Sequence, residues 1–247
     1  MLQRDGFLHF STLKHMARSA AHYREACLTP FEPTAAMRLG TLVHKLVLGG
    51  DYTVFPGDRR GKDWENFRYE NQHKEIFTYA ELLRAKSAAL AVANDPVAAK
   101  WLLGKHEQSM TWNALGYPCK GTLDVLGEDF VCDLKTTSST DPVVLTHHAR
   151  KLWYHAQLAW YLGGARANGH DVRAAALVCV EMEAPHPVTV VRVMPRAIEQ
   201  GLNAIRSWIE RLESCEANGT WPGYVDSEID LDVDETRLLI DGEELAA

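Results

Sequence analysis

The chain has 247 residues, 46% hydrophobic and 24% charged, enough to bury a full core, and no uninterrupted apolar run approaches membrane-span length. Its five cysteines (Cys27, Cys119, Cys132, Cys179 and Cys215) form no Cys-x-x-Cys pair, which disfavours zinc, iron–sulfur and disulfide frameworks. The formal charge of −7 argues against a nucleic-acid binder only until it is mapped, because residues 226–247 hold nine acids against Arg237 and leave the first 225 residues at +1.

In chain order, residues 11–25 and 34–48 read as helices, the first entered through a Ser/Thr cap and the second closed by Gly49-Gly50. The N-terminal Met1-Leu2-Gln3-Arg4-Asp5 lacks a signal-peptide core, so a cytoplasmic protein without a membrane partner is expected. Residues 51–61 read as a loop or short strand near substrate, followed by helices over 62–74 and 78–94 and a short one from Asp95-Pro96 to Leu103. Strands are expected over 107–114, 121–126 and 130–136, a helix over 150–165, strands over 173–181 and 189–194, and a helix over 195–218 opening on Pro195. This order predicts an α/β fold with a mixed central β-sheet flanked by helices. We expect one domain over residues 1–225 with an N-terminal helical elaboration, then an acidic tail over 226–247 that solubilises the protein or guards a basic groove. Arg59-Arg60-Gly61-Lys62 and Arg150-Lys151 are basic patches available for phosphate contacts.

The chemistry concentrates at Asp133-Leu134-Lys135, with Asp124 nine residues upstream. An Asp-x-Lys triplet alone is expected about once in a chain of this length. Its weight comes from the conjunction with Gly121-Thr122-Leu123-Asp124 on the preceding strand and Thr136-Thr137 after it. If Gly127-Glu128 forms a two-residue type II′ turn, Leu126 pairs with Asp129 and Asp124 with Val131. Asp124 then shares a face with Asp133 and Lys135; only an even loop length or a compensating bulge allows this. Two carboxylates and the Leu134 carbonyl would supply oxygens to a hard cation, Mg²⁺ with Mn²⁺ as a substitute. Lys135 would orient or deprotonate the attacking water, or neutralise charge on the scissile phosphate.

These residues resemble the PD-(D/E)XK nuclease superfamily, and within it the exonuclease VIII and lambda-type exonuclease group, close to the RecB nuclease domain. Gly40-Thr41-Leu42-Val43-His44 is similar to the group's first motif, which implies that His44 lies near the metal. Gly121-Thr122-Leu123-Asp124 and Asp133-Leu134-Lys135-Thr136-Thr137 resemble the second and third motifs, with Leu123 where the superfamily's name has proline. Tyr154 to Tyr161 resembles a Gln-x-x-x-Tyr helix, which implies site roles for Gln157 and Tyr161, and Ser11-Thr12-Leu13-Lys14 resembles the group's leading helix. His44 and Tyr161 each have a competing role in core packing, and Glu107 is a further candidate ligand. The resemblance implies a restriction-endonuclease-like core and a magnesium-dependent deoxyribonuclease that digests double-stranded DNA from an end, 5′ to 3′, in phage or prophage recombination. It also implies a homo-oligomeric ring and a single-strand annealing protein as partner. The alternatives are a RecB-like or structure-specific endonuclease, and a catalytically silent DNA-binding module.

Overall fold

A computed structural model describes residues 5–225, 227 and 228, and the backbone of Leu238–Ile240 and Glu243–Leu245. The chain opens with β1 (Leu8–His9), α1 (Phe10–Leu13), a 3₁₀ turn over Lys14–Ala17 and α2 (Ala20–Leu28). The single helix expected over 11–25 is therefore broken. The break falls at Ser19, whose extended backbone and side chain cap α2 by accepting the His22 N–H, a cap being typically worth about 1 kcal/mol. α3 (Ala35–Leu48) is capped by Thr34 and stopped by Gly49 at φ 87°, as its sequence predicts. β2 (Thr53–Phe55), α4 (Gly61–Glu70) and β3 (Ile76–Thr78) lead to α5 (Tyr79–Asn94), which starts with a Thr78/Glu81 capping box, and to α6 (Pro96–Trp101).

The sheet-forming half follows: β4 (Lys105–Ala114), β5 (Tyr117–Leu126), β6 (Phe130–Thr137), α7 (Pro142–Lys151), α8 (Tyr154–Ala167), β7 (Ala174–Glu181), β8 (Val188–Val193) and α9 (Pro195–Asn218). Six strands form one mixed sheet in the order β1-β5-β6-β7-β8, with β4 also on β5. β1/β5 and β6/β7 are parallel pairs and the others antiparallel. α7 escapes the sequence pattern, and the helix expected over 150–165 breaks at Trp153, which adopts φ 60° before α8. Most of the acidic tail lies outside the described residues; within it β9 (Leu238–Ile240) and β10 (Glu243–Leu245) pair antiparallel.

Two cores cover the two faces of the sheet. Val131, Ala175, Leu177 and Cys179 pack with α1, α8 and α9, while Cys132, Leu134, Ala176 and Val178 pack with α3 and α5. Alternation along β6 and β7 thus follows the strand period of two. On β5 it fails at one place. Leu123 joins the first core and Val125 the second. The interruption falls at Asp124, opposite Glu107 on β4, whose φ of 52° is rare for a side chain of this kind.

Candidate active site

The β5/β6 ladder contains only Val125↔Cys132 and Leu126↔Val131. The expected pairing of Leu126 with Asp129 and Asp124 with Val131 is therefore wrong by two residues. The turn residues are Glu128 and Asp129, closed by Gly127 N–H donating to the Phe130 carbonyl at 2.9 Å. Gly127 is outside the positive-φ region that a type II′ turn requires of it. Its need for glycine is steric: a Cβ there would lie 2.3 Å from the Phe130 ring. The shift is even, which by itself leaves the faces of a regular ladder unchanged.

Beyond Leu126 the two strands part, and the next register position sets Asp124 opposite Asp133. There Asp124 replaces the ladder with its side chain, Oδ2 accepting the Leu134 N–H at 2.8 Å. Amide and carbonyl of one strand residue point to the same side, so the Leu134 carbonyl also faces this gap. β1 occupies the same edge of β5 further along, pairing Leu8 with Cys119 and His9 with Lys120. The gap is bounded by β1 on one side and β6 on the other, and α1 with its 3₁₀ turn leads away from it.

Side chains converge on the gap from both layers. α3 brings His44, with Nδ1 3.4 Å from Asp124 Oδ2. Its close approach depends on Gly40, where a Cβ would sit 2.8 Å from Thr136 Oγ1. The ligand atoms of His44, Glu107 and Asp124 lie within 4.8 Å of one another. Asp133 is not in that trio: its Oδ2 contacts Lys135 Nζ at 2.5 Å. That oxygen is buried and has no partner in hydrogen-bond geometry. From α8, Tyr154 places its ring 5.0 Å beneath Lys135 Nζ, and Gln157 donates to the Tyr161 hydroxyl at 2.9 Å. Gln157 therefore finds its partner in Tyr161.

Electrostatics separate the two carboxylates. Burial pushes Asp133 up to about 6, against the pull of Lys135. Burial also acts on Asp124, but the His44 hydrogen bond and charge, Lys135 and the Leu134 N–H hold it below the usual carboxylate range. Burial disfavours the charge on His44, yet Asp124 and then Asp133 raise its pKa. Lys135 is likewise raised despite burial, by Asp133 first and Asp124 second. Glu107 is raised by burial and by Asp124.

Three carboxylates, one imidazole and a strand carbonyl are a mainly oxygen donor set, suited to magnesium or manganese. The mutual repulsion of Glu107 and Asp124, which raises Glu107, is what a cation would relieve. The residues present thus fit a hard divalent ion. Two neighbours escaped the sequence reading. Tyr154 lies three residues before Gln157 on the same helical face, a spacing that could have exposed it. Lys14 ends the quoted leading motif, and burial together with the Lys135 charge lowers its pKa.

Residues 9–230 match the family described as PDDEXK-like domain of unknown function (DUF3799). The chain belongs to this family. Its membership places the chain in the PD-(D/E)XK nuclease superfamily. A crystal structure of a candidate exonuclease from Eubacterium rectale superposes with a TM-score of 0.65 at 15% identity, covering 93% of this chain and 91% of that one. At that identity the likeness shows a shared fold. A second structure, SSO0001, aligns at TM-score 0.30 and 16% identity over 81% of this chain and 82% of its own, too loosely to carry an argument. Comparison with curated proteins gives no significant match. Among the described residues, no helix of this PDDEXK-like chain is long and apolar enough to cross a membrane.

Proposed function

We propose that this PDDEXK-like protein is a divalent-metal-dependent nuclease that hydrolyses DNA phosphodiester bonds, digesting double-stranded DNA from an end. One observation carries the reading: Asp124, Asp133 and Lys135 meet where the β5/β6 ladder opens, with His44 and Glu107 beside them. Asp124, Glu107 and His44, with Asp133 and the Leu134 carbonyl, would hold magnesium or manganese. Such an ion, when bound, supplies Lewis-acid polarisation of the phosphate and a more acidic water. Lys135, kept cationic by its carboxylate neighbours, offsets charge building on the scissile phosphate. Gln157 and Tyr161, tied to each other, position the polar wall facing it. The 5′ to 3′ direction, the homo-oligomeric ring, the annealing partner and a role in phage-type recombination rest on the resemblance stated above.

Linear and covalently closed circular duplexes incubated with the protein in magnesium test the proposal. The linear form should disappear while the circle persists. A nicked or linearised circle favours the RecB-like or structure-specific endonuclease, and two intact substrates favour a silent DNA-binding module.

A further inference from the structure

Among the described residues, five lysines and arginines stand between burial and full exposure: Lys14, Arg38, Lys45, Lys120 and Lys135. Four of them are partnered. Arg38 donates to the Ile76 carbonyl and Lys45 to the Asp51 carbonyl, while Lys120 and Lys135 pair with Asp5 and Asp133. Lys14 makes no ion pair and no side-chain hydrogen bond among the described residues. A cation partly withdrawn from water without a partner is costly, so Lys14 needs an explanation that an ordinary surface charge does not.

Its place in the fold brings it to the gap. β1 ends beside Lys120 of β5, and the chain then turns through α1 into the 3₁₀ turn that opens on Lys14. Leu13 and Met16, one before it and one two residues after, are fully buried in the core that includes α8 and α9. Arg211 of α9 donates to the Met16 carbonyl at 3.3 Å. The turn is thereby fixed, and Lys14 is held where Lys135 acts on it: burial first and that charge second lower its pKa. A lysine that only laid its stem over apolar surface would carry its ammonium out to water and away from another cation. The next residue, His15, is half-buried too, and burial followed by the charges of Lys14, Arg18 and His22 lowers its pKa. The charges acting on this turn are thus all positive.

Such a setting calls for an anion, since a metal ion would add to the repulsion. Asp133 and Asp124 are engaged with Lys135 and His44, so the anion has to come from outside the chain. Lysine is a compact point charge well suited to phosphate. We propose that Lys14 binds a phosphate group of the nucleic acid beside the one that Lys135 faces, making the 3₁₀ turn after β1 one wall of the substrate's path into the gap. The inference deepens the nuclease reading and rests on it for the identity of the anion. A phosphodiester within a strand and a phosphate monoester at its end offer the same chemistry.

The test is fluorescence anisotropy with a short labelled DNA duplex in EDTA, titrated with salt, on wild type, Lys14→Met and Lys14→Arg. Methionine keeps much of the apolar stem and removes the charge, so the melting temperature should hold. Lys14→Met should bind ~10-fold more weakly, the scale of a lost hydrogen bond to a charged group. Its log–log salt slope should be shallower by about 0.9, one phosphate contact, and Lys14→Arg should keep the wild-type slope. Equal losses on 5′-phosphorylated and 5′-hydroxyl duplexes place Lys14 on a phosphodiester; a loss confined to the phosphorylated duplex places it on the terminal monoester. Unchanged affinity and slope in Lys14→Met overturn the proposal, as does a wild type that does not bind the duplex. A weakening that tracks a fall in melting temperature, with Lys14→Arg no better than Lys14→Met, also overturns it and leaves Lys14 to packing. Because binding is read without metal, the two readings fail separately. A protein that binds through Lys14 and never cleaves in magnesium sinks the nuclease, whereas cleavage by a protein whose Lys14→Met variant binds like wild type sinks the role of Lys14 alone.

Discussion

In the gap between β5 and β6 two carboxylates each face an opposite charge, Asp133 with Lys135 at 2.5 Å and Asp124 with His44 at 3.4 Å. At the end of α7 the exposed cations Arg150 and Lys151 face none among the described residues. Burial explains the contrast. Inside the sheet an unpaired charge is costly, so charges occur in opposed sets whose protonation is mutually determined. On the exposed wall a lone cation costs little and remains available to a ligand. The first arrangement suits chemistry at one point.

Several substitutions would break or sharpen that contrast. The largest effect is expected from Asp124→Asn. It keeps an oxygen to accept the Leu134 N–H but removes the ligand charge, so turnover should fall to background with the melting temperature little changed, as read by calorimetry beside a nuclease assay. Lys135→Ala should cut single-turnover cleavage by ~10²–10⁴-fold, while affinity for DNA changes far less. A collapse of affinity with normal cleavage of bound DNA would instead make Lys135 a phosphate anchor. Gln157→Ala breaks the bond to Tyr161 and should cost ~10–100-fold, as for other groups that orient a site. Thermal stability should hold, since α8 keeps Leu158 and Trp160 in the core. Melting that falls in step with activity would assign Gln157 to packing alone. The smallest effect is expected from deleting residues 226–247, whose removal should raise DNA affinity at low salt and leave it unchanged at high salt.

Much of this arrangement can be read in the chain. Strand alternation puts Asp133 and Lys135 on one face, and the Gly121–Asp124 and Asp133–Thr137 segments mark β5 and β6. The exact pairing was not legible, because it depends on the Phe130 ring pressing on Gly127, a contact that turn propensity does not encode. α7 was hidden because Val143 and Val144 and its polar residues give a weak helical stripe, although Asp141-Pro142 is a cap followed by a first-turn proline. Local patterns reach Asp124, Asp133 and Lys135 because these sit close together in sequence; His44 and Glu107 lie far away along the chain and join them only through the fold.

The central claim is that the opened end of the β5/β6 ladder is a metal-dependent hydrolytic centre. Single-turnover cleavage of an end-labelled linear duplex by wild type and Asp133→Asn, each in EDTA and in magnesium, tests it most directly. The account predicts cleavage only by wild type in magnesium, with both proteins equally folded. Cleavage that persists in EDTA, or near-normal digestion by Asp133→Asn, would contradict it.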